Sequence, residues 1–264
     1  MNQDGAGGYR FCTVEDEGRL RIVTINRPEV MNALHSEAHH ELERVWDEFA
    51  ASPDLWIGIV TGAGERAFSA GNDLKVQAAG RRGPRARSGF AGLTHRFDLE
   101  KPLIAAVNGV AMGGGFETAL ACDLIVAAEN AVFALPEPRV GLIAGAGGVH
   151  RLARMIPQKQ ALGMILTGRR VSAEEGRALG FVNEVVPAGQ ALAAAKRWAA
   201  QILECSPMAV RASKQAFYRG LDAASLEQAI ATVYPAQQAN LASEDYVEGP
   251  KAFAEKRRPN WQNR

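Results

Sequence analysis

The sequence predicts an α/β core followed by a helical C-terminal region, and three features predict it. Short apolar runs alternate with amphipathic helical segments between residues 11 and 128. Beyond Val149 the pattern becomes mostly helical, with one more strand at residues 182–186. From Gln190 onward, helical segments follow one another without a strand. The expected division is residues 1–189 as the core and 190–264 as a helical appendage. Helices with broad apolar faces must bury them on the core or on another subunit.

Taken in order, residues 11–15 and Leu20–Ile25 read as two strands across a Glu-Asp-Glu-Gly turn. Ser36 offers an N-cap, and Leu42, Val45, Trp46 and Phe49 then recur at the spacing of one buried helical face, closed by Pro53. Residues 56–61 form a buried strand. Leu103–Val107 is another, the glycines Gly113, Gly114 and Gly115 open a helix running through Cys122, and Leu124–Ala128 is the next strand. Ser172 and Glu175 make a capping box, with Gly180 as the stop. Breaks are expected in the tail at Pro207, Gly220 and Pro235.

Composition narrows the function. The 264 residues are 47% hydrophobic and 22% charged, the balance of an ordinary globular protein. A net charge of +1 gives no global field for nucleic acid or anionic membrane. Cys12, Cys122 and Cys205 are sparse, odd in number and without CxxC spacing, which points to a reducing compartment. Residues 1–8 are polar and glycine-rich, and no apolar run approaches the ~20 residues of a membrane helix, so the expectation is a cytoplasmic protein. The basic stretch at residues 80–89, GRRGPRARSG, reads as a solvated loop or as a lid beside an anionic ligand.

The glycine clusters fit neither G-x-G-x-x-G nor the phosphate loop ending in Gly-Lys-Ser/Thr, and no G-x-S-x-G or H-E-x-x-H is present. No Asp/His cluster has ligand spacing, so neither a metal nor a cofactor is expected. The glycines instead suit a site where backbone N–H groups face a ligand. Gly114 would lie at a helix N-terminus, whose free N–H groups and dipole stabilise an oxygen gaining negative charge. A second glycine-bearing turn, residues 68–73, follows the strand at 56–61, and two such turns would supply the two donors of an oxyanion hole. Asp73 and Asp123 read as a turn residue and a helix-end residue, and His95 and His150 as helical surface, with the pocket wall as the alternative.

These segments resemble a known family. KPLIAAVNGVAMGGGFETALACD at residues 101–123 is similar to the signature of the crotonase (enoyl-CoA hydratase/isomerase) family. So are NRPEVMNAL (26–34), AFSAGNDLK (67–75), FALPEPRVGLIAGAGGVHRL (133–152) and the tail FAEKR (253–257), all in the expected order. The resemblance implies a spiral of β-β-α units with a helical C-terminal region that forms trimers, often paired into hexamers. It implies catalytic glutamates at Glu117 and Glu137, an oxyanion hole from the N–H groups of Ala70 and Gly114, and water positioning at Gly145. It places coenzyme A contacts at Arg27, Ala33, Asp73, Leu74 and Lys75, with Phe253 and Lys256 reaching the nucleotide. GFAGLT (89–94) and SEDYVEG (243–249) are similar to its carnitinyl-CoA dehydratase branch, from which Asn72, Ala144 and the glycine run at 145–148 depart.

The chemistry of the residues agrees with the likeness. A thioester polarises the conjugated double bond, so water adds at C3 and a proton at C2 through an enolate oxygen. One carboxylate and one carboxylic acid supply base and acid when their environments differ. Glu117 falls in the first turn of the helix that Gly114 opens, and Glu137 follows a short strand between Pro136 and Pro138. The family assigns the water to Glu117 and the C2 proton to Glu137. Shifting the double bond, thioester hydrolysis and silent acyl-CoA binding are the competing expectations.

Overall fold

A computed structural model of the chain describes residues 8–80 and 83–264; the first seven residues of the polar N-terminal stretch, and Arg81 and Arg82 of the basic segment, lie outside it. The elements run β1 (Cys12–Glu17), β2 (Leu20–Ile25), α1 (Ser36–Ala51), β3 (Ile57–Gly62), β4 (Ala67–Ser69), α2 (Leu74–Ala78), β5 (Leu103–Val107), β6 (Val110–Met112), α3 (Gly114–Ala121), β7 (Leu124–Ala128), β8 (Val132–Ala134), α4 (Gly148–Met155), α5 (Gln158–Thr167), β9 (Val171–Ser172), α6 (Ala173–Leu179) and β10 (Glu184–Val186). Five helices follow among the described residues: α7 (Ala191–Leu203), α8 (Pro207–Leu221), α9 (Leu226–Ala231), α10 (Pro235–Leu241) and α11 (Glu244–Ala254). The chain divides into two compact units, one from its N-terminal region to Arg96 with Leu103–Arg197, the other Phe97–Pro102 with Trp198–Arg264.

In the first unit a six-stranded sheet has the order β1-β2-β3-β5-β7-β10, and a four-stranded sheet the order β4-β6-β8-β9. The first sheet is parallel from β2 onward, with β1 antiparallel at its edge. The chain repeats one move: a strand in the large sheet, a strand in the small sheet, then a helix. β3-β4-α2, β5-β6-α3 and β7-β8-α4 are three such β-β-α turns. Each strand pairs with its counterpart one turn away, because parallel neighbours need a crossover between them.

The large sheet is built from what the sequence advertises. Ile59, Val60, Ile104, Ala105 and Val126 are buried, as strands covered on both faces must be. Leu42, Val45, Trp46 and Phe49 of α1 are buried, as their spacing predicts. Ser172 Oγ accepts from Glu175 N at 3.1 Å to cap α6, and Gly180 ends it in the left-handed region.

Several boundaries differ from expectation. β1 runs to Glu17, leaving a two-residue hairpin with Gly18 at φ 59°; the Asp16–Arg21 ion pair at 2.8 Å joins its two strands. His35, not Ser36, caps α1: its Nδ1 accepts from Ala38 N at 3.3 Å, while Ser36 Oγ donates to Pro84 O at 2.6 Å. The last strand begins at Glu184 rather than 182, and α8 continues through Gly220 to Leu221. The described part of the basic segment lies along α1, with Ser88 N donating to Glu43 Oε1 at 2.6 Å and Arg87 pairing with Asp47 at 3.2 Å.

In the second unit, Ser206 and Ser243 cap α8 and α11, and Pro207 and Pro235 start their helices. A cavity of about 620 Å³ opens among α8, α9 and α10. Phe217, Leu221, Leu226 and Ile230 on its lining are exposed.

Candidate active site

The small sheet delivers the site. β4 leads into the 70–73 turn, β6 into the start of α3, and β8 into Pro136 and Glu137. The first two pieces are in contact. A Cβ on Gly71 would lie 2.5 Å from Met112 O and 3.0 Å from Gly114 N, so the turn and the helix N-terminus approach as closely as backbone allows.

The turn's N–H groups can be accounted for one by one. Ala70 N donates to Met31 O at 2.9 Å, Gly71 N to Ser69 Oγ at 3.1 Å, and Asp73 N to Leu34 O at 2.8 Å. Asn72 N–H has no acceptor among the described residues. This corrects the sequence-based expectation for Ala70: a donor already engaged by Met31 cannot also hold an oxyanion, and the open donor of the turn is Asn72. On α3 the Gly114 N–H has no acceptor among the described residues. Its N–H precedes the first intrahelical bond, Glu117 N to Gly113 O at 2.9 Å, and no side chain of the described residues caps the helix.

Glu117, in the first turn of α3, is 3% exposed. Its Oε1 accepts from Gly148 N at 2.8 Å, and the Ala146 N–H is the other backbone donor whose influence lowers the carboxyl's pKa. Burial pushes its pKa up to about 7, the Glu137 charge pushes the same way, and the two N–H donors and the Arg151 cation oppose them. Glu137 is half-buried, and burial raises its pKa as well, against a bond from its own backbone N–H. Its Oε2 is buried without a partner among the described residues, and its Oε1 lies 2.7 Å from where a Cβ on Gly113 would stand. Two carboxyls that each resist ionisation thus face the entry of α3. A carboxyl poised near neutrality can exchange protons in either direction.

Gly145 has its own N–H engaged. Its N–H donates to Ile143 O at 2.7 Å, so the N–H groups that reach Glu117 are those of Ala146 and Gly148.

The expected coenzyme A residues fall into two groups. Arg27, Ala33 and Asp73 are drawn together, the Arg27 guanidinium donating to Ala33 O and pairing with Asp73 at 3.2 Å. Asp73 caps α2, which puts the exposed Leu74 and Lys75 beside them. Asn32 ties this loop to β4, donating to Ala67 O at 2.7 Å and accepting Ser69 Oγ at its carbonyl, 2.8 Å. Phe253 and Lys256 belong to the second unit, Phe253 exposed near the end of α11 and Lys256 in the left-handed region beyond it.

Three further residues shape the site without having been singled out. Phe90 puts the tip of its ring 2.5 Å from where a Cβ on Gly114 would stand, so a side chain at Gly114 and this ring exclude one another. The His39 ring packs against that of Phe90 at a tilt of 54°, centroids 4.3 Å apart, and accepts from Ala91 N at 3.1 Å, its pKa lowered to about 4 by burial. Arg151 donates to Thr94 O at 2.8 Å. The signal for Phe90 was the turn GFAGLT itself, in which Gly89, Ala91 and Gly92 all adopt positive φ. Among the described residues no cluster of His, Cys, Asp and Glu could hold a metal, and no helix is long and apolar enough to cross a membrane.

Comparison with known proteins gives a consistent set. The enoyl-CoA hydratase/isomerase family pattern matches residues 15–264. A carnitinyl-CoA dehydratase of Salmonella typhi is 43% identical over 259 residues, 94% of this chain and 96% of that one. The Proteus mirabilis protein of the same name is 44% identical over 257 residues, covering 94% and 96%. Among solved structures, an enoyl-CoA hydratase from Mycobacterium tuberculosis superposes with a TM-score of 0.89 at 39% identity, covering 96% of this chain and 99% of that one. A carnitinyl-CoA hydratase from Mycobacterium avium gives a TM-score of 0.77 at 41% identity, covering 97% and 100%.

Proposed function

The chain belongs to the enoyl-CoA hydratase/isomerase family, and from that premise we propose that it is a hydro-lyase acting reversibly on a 2-enoyl-CoA thioester. The observation that carries this reading is the pair of carboxyls at the N-terminus of α3, Glu117 buried and Glu137 half-buried, each with its pKa raised by burial. The thioester oxygen accepts from Gly114 N–H and Asn72 N–H, which stabilise the enolate as charge moves onto it. Glu117 as carboxylate takes a proton from water, whose hydroxyl adds to C3. Glu137 as carboxylic acid delivers a proton to C2, so one water is consumed and the thioester stays whole. The reverse sequence dehydrates the 3-hydroxyacyl thioester. Only protons and water move, so no cofactor or metal is required.

The two glutamates favour hydration over a simple double-bond shift, for which one base suffices. Coenzyme A contacts are assigned to Arg27, Ala33, Asp73, Leu74 and Lys75, and at the nucleotide end to Phe253 and Lys256. Gly145 contributes through the conformation of its loop. The relatives named for carnitinyl-CoA suggest a short, polar acyl group as the first to try. The exposed apolar residues of α8 and α9 suit assembly into a trimer or a pair of trimers in the cytoplasm. The test is the absorbance of the conjugated thioester in crotonyl-CoA, followed together with a thiol reagent. A steady fall without free thiol supports the reading, whereas thiol release identifies a hydrolase.

A further inference from the structure

Two parts of the site meet at one side chain. Arg151 stands in the second turn of α4, half-buried. Its Nη2 donates to Thr94 O at 2.8 Å, and its Nη1 lies 3.4 Å from Ala146 O. Thr94 closes the GFAGLT turn, its Oγ1 accepting from Phe90 N at 2.8 Å, and Thr94 is fully buried. Ala146 begins the stretch that ends at Gly148, whose N–H holds the Glu117 carboxylate at 2.8 Å, and the Ala146 N–H favours the same charge. Gly147 sits between them at φ 106°, and a Cβ there would fall on Arg151 Nη1. The absence of a side chain at 147 is what lets the guanidinium into this place.

The far end of the GFAGLT turn is fixed as firmly. Ala91 N donates to His39, Trp46 Nε1 donates to Ala91 O at 3.2 Å, and Gly92 packs against the backbone of α1. The turn is therefore a rigid mount for Phe90, whose ring abuts Gly114. On the other side, the 146–148 stretch is a mount for Glu117. Arg151 is the side chain that donates to one and reaches the other.

We propose that Arg151 is a positioning residue that clamps the Ala146–Gly148 cradle of Glu117 to the Gly89–Thr94 mount of Phe90, fixing the base and the ring over Gly114 as one unit. A guanidinium suits this task because its planar fork reaches two carbonyls in fixed directions, which a lysine ammonium does not. The inference deepens the hydratase reading and rests on it for the role of Glu117. The clamp also carries charge. The charged groups acting on Glu117 are Glu137 from the turn after β8 and Arg151 from α4. The other titratable groups of α4, His150 and Arg154, are exposed, and His39 on α1 is uncharged near neutrality. Removing the Arg151 cation therefore takes away the charge that favours the Glu117 carboxylate, and its titration moves to higher pH.

The test compares Arg151→Met and Arg151→Lys with the unaltered chain, each first checked for an unchanged circular dichroism spectrum. Turnover of crotonyl-CoA between pH 5.5 and 9 reads position and charge separately. Arg151→Met is expected to lower kcat roughly 10- to 100-fold, with KM changing less, because a misplaced base costs this order of rate. Its acid limb is expected to move to higher pH. Arg151→Lys is expected to restore the limb but only part of kcat. A methionine variant with an unmoved limb, or a lysine variant with full kcat, overturns the clamp. An infrared titration of the Glu117 carboxyl band, taken as the difference from Glu117→Gln, follows the same shift without turnover. It therefore decides the inference even for a chain that fails to hydrate crotonyl-CoA, and a midpoint unchanged in Arg151→Met contradicts it.

Discussion

The two sheets of the first unit are made by different rules. Strands β2, β3, β5 and β7 of the large sheet are five or six residues long and rich in buried Ile, Val, Leu and Ala. Strands β4, β6 and β8 of the small sheet are three residues each, and each ends at a piece of the site. The large sheet buries apolar surface, and its residues can change in detail while the fold persists. The small sheet holds backbone against backbone: Gly71 on Gly114, and Gly115 on the carbonyl of Ser69. There, a single methyl group is an obstruction. Stability is concentrated in one sheet and chemistry in the other.

The largest effect expected on the chemical side is from the carboxyls themselves. Glu117→Gln and Glu137→Gln should each lower kcat for crotonyl-CoA by roughly 10²–10⁴-fold, with an unchanged circular dichroism spectrum. Near-normal rates in both would dissolve the distinction drawn between the sheets. Next is Gly115→Ala, whose added methyl falls on Ser69 O at the join of β4 and α3. It should cost about 1–3 kcal/mol in denaturant unfolding and at least tenfold in kcat, because β4 and α3 both position oxyanion donors.

A third prediction sets stability against chemistry at one residue. Glu117 holds its proton up to about pH 7 when folded, against 4.5 for its ordinary value. The folded state then binds more protons than the unfolded state across that window, so stability falls as pH rises from 4.5 through 7. Glu117→Gln never has to ionise in the buried site. At pH 8 it should be more stable than the unaltered chain by about 1–3 kcal/mol, with Tm up by a few degrees, and at pH 4 it should show no gain. Equal Tm values at pH 8 would mean that the ionised carboxylate is not strained by its surroundings.

The large sheet provides the contrast. Ile59→Val should cost about 1 kcal/mol in unfolding while kcat stays unchanged. Smallest of all is Gly145→Ala. A Cβ there meets nothing nearer than Ile143 O at 3.7 Å, and the Gly145 N–H already serves Ile143 O. Stability should stay within about 0.5 kcal/mol and kcat within roughly threefold, less than the cost of one lost transition-state donor. A hundredfold loss would show that this N–H turns to the water during the reaction.

The same contrast explains what the sequence could reveal. Periodicity marks elements that bury a face, so Leu103–Val107, Leu124–Ala128 and the Leu42/Val45/Trp46/Phe49 stripe were legible from pattern alone. Three-residue strands such as β4 and β6 are too short to carry a period, and the resemblance, not the pattern, supplied their arrangement. Glu117 was legible as an acid in the first turn of a helix and Glu137 as one between two prolines, and the resemblance alone gave them a chemical role. Which N–H of the 70–73 turn stays open was not legible, because it depends on Met31 O and Leu34 O reaching it from a loop some 40 positions away. Arg151 and Phe90 stayed hidden for the same reason. Their roles come from partners, Thr94 O and the bare Cα of Gly114, that no local pattern predicts.

The central claim is that water adds across the double bond of an intact thioester, and the most direct measurement is mass spectrometry of crotonyl-CoA turned over in water enriched in oxygen-18. The account predicts a 3-hydroxyacyl thioester carrying one heavy oxygen on C3, with no free coenzyme A. Heavy oxygen in a released carboxylate, or a thioester recovered without heavy oxygen, would contradict it.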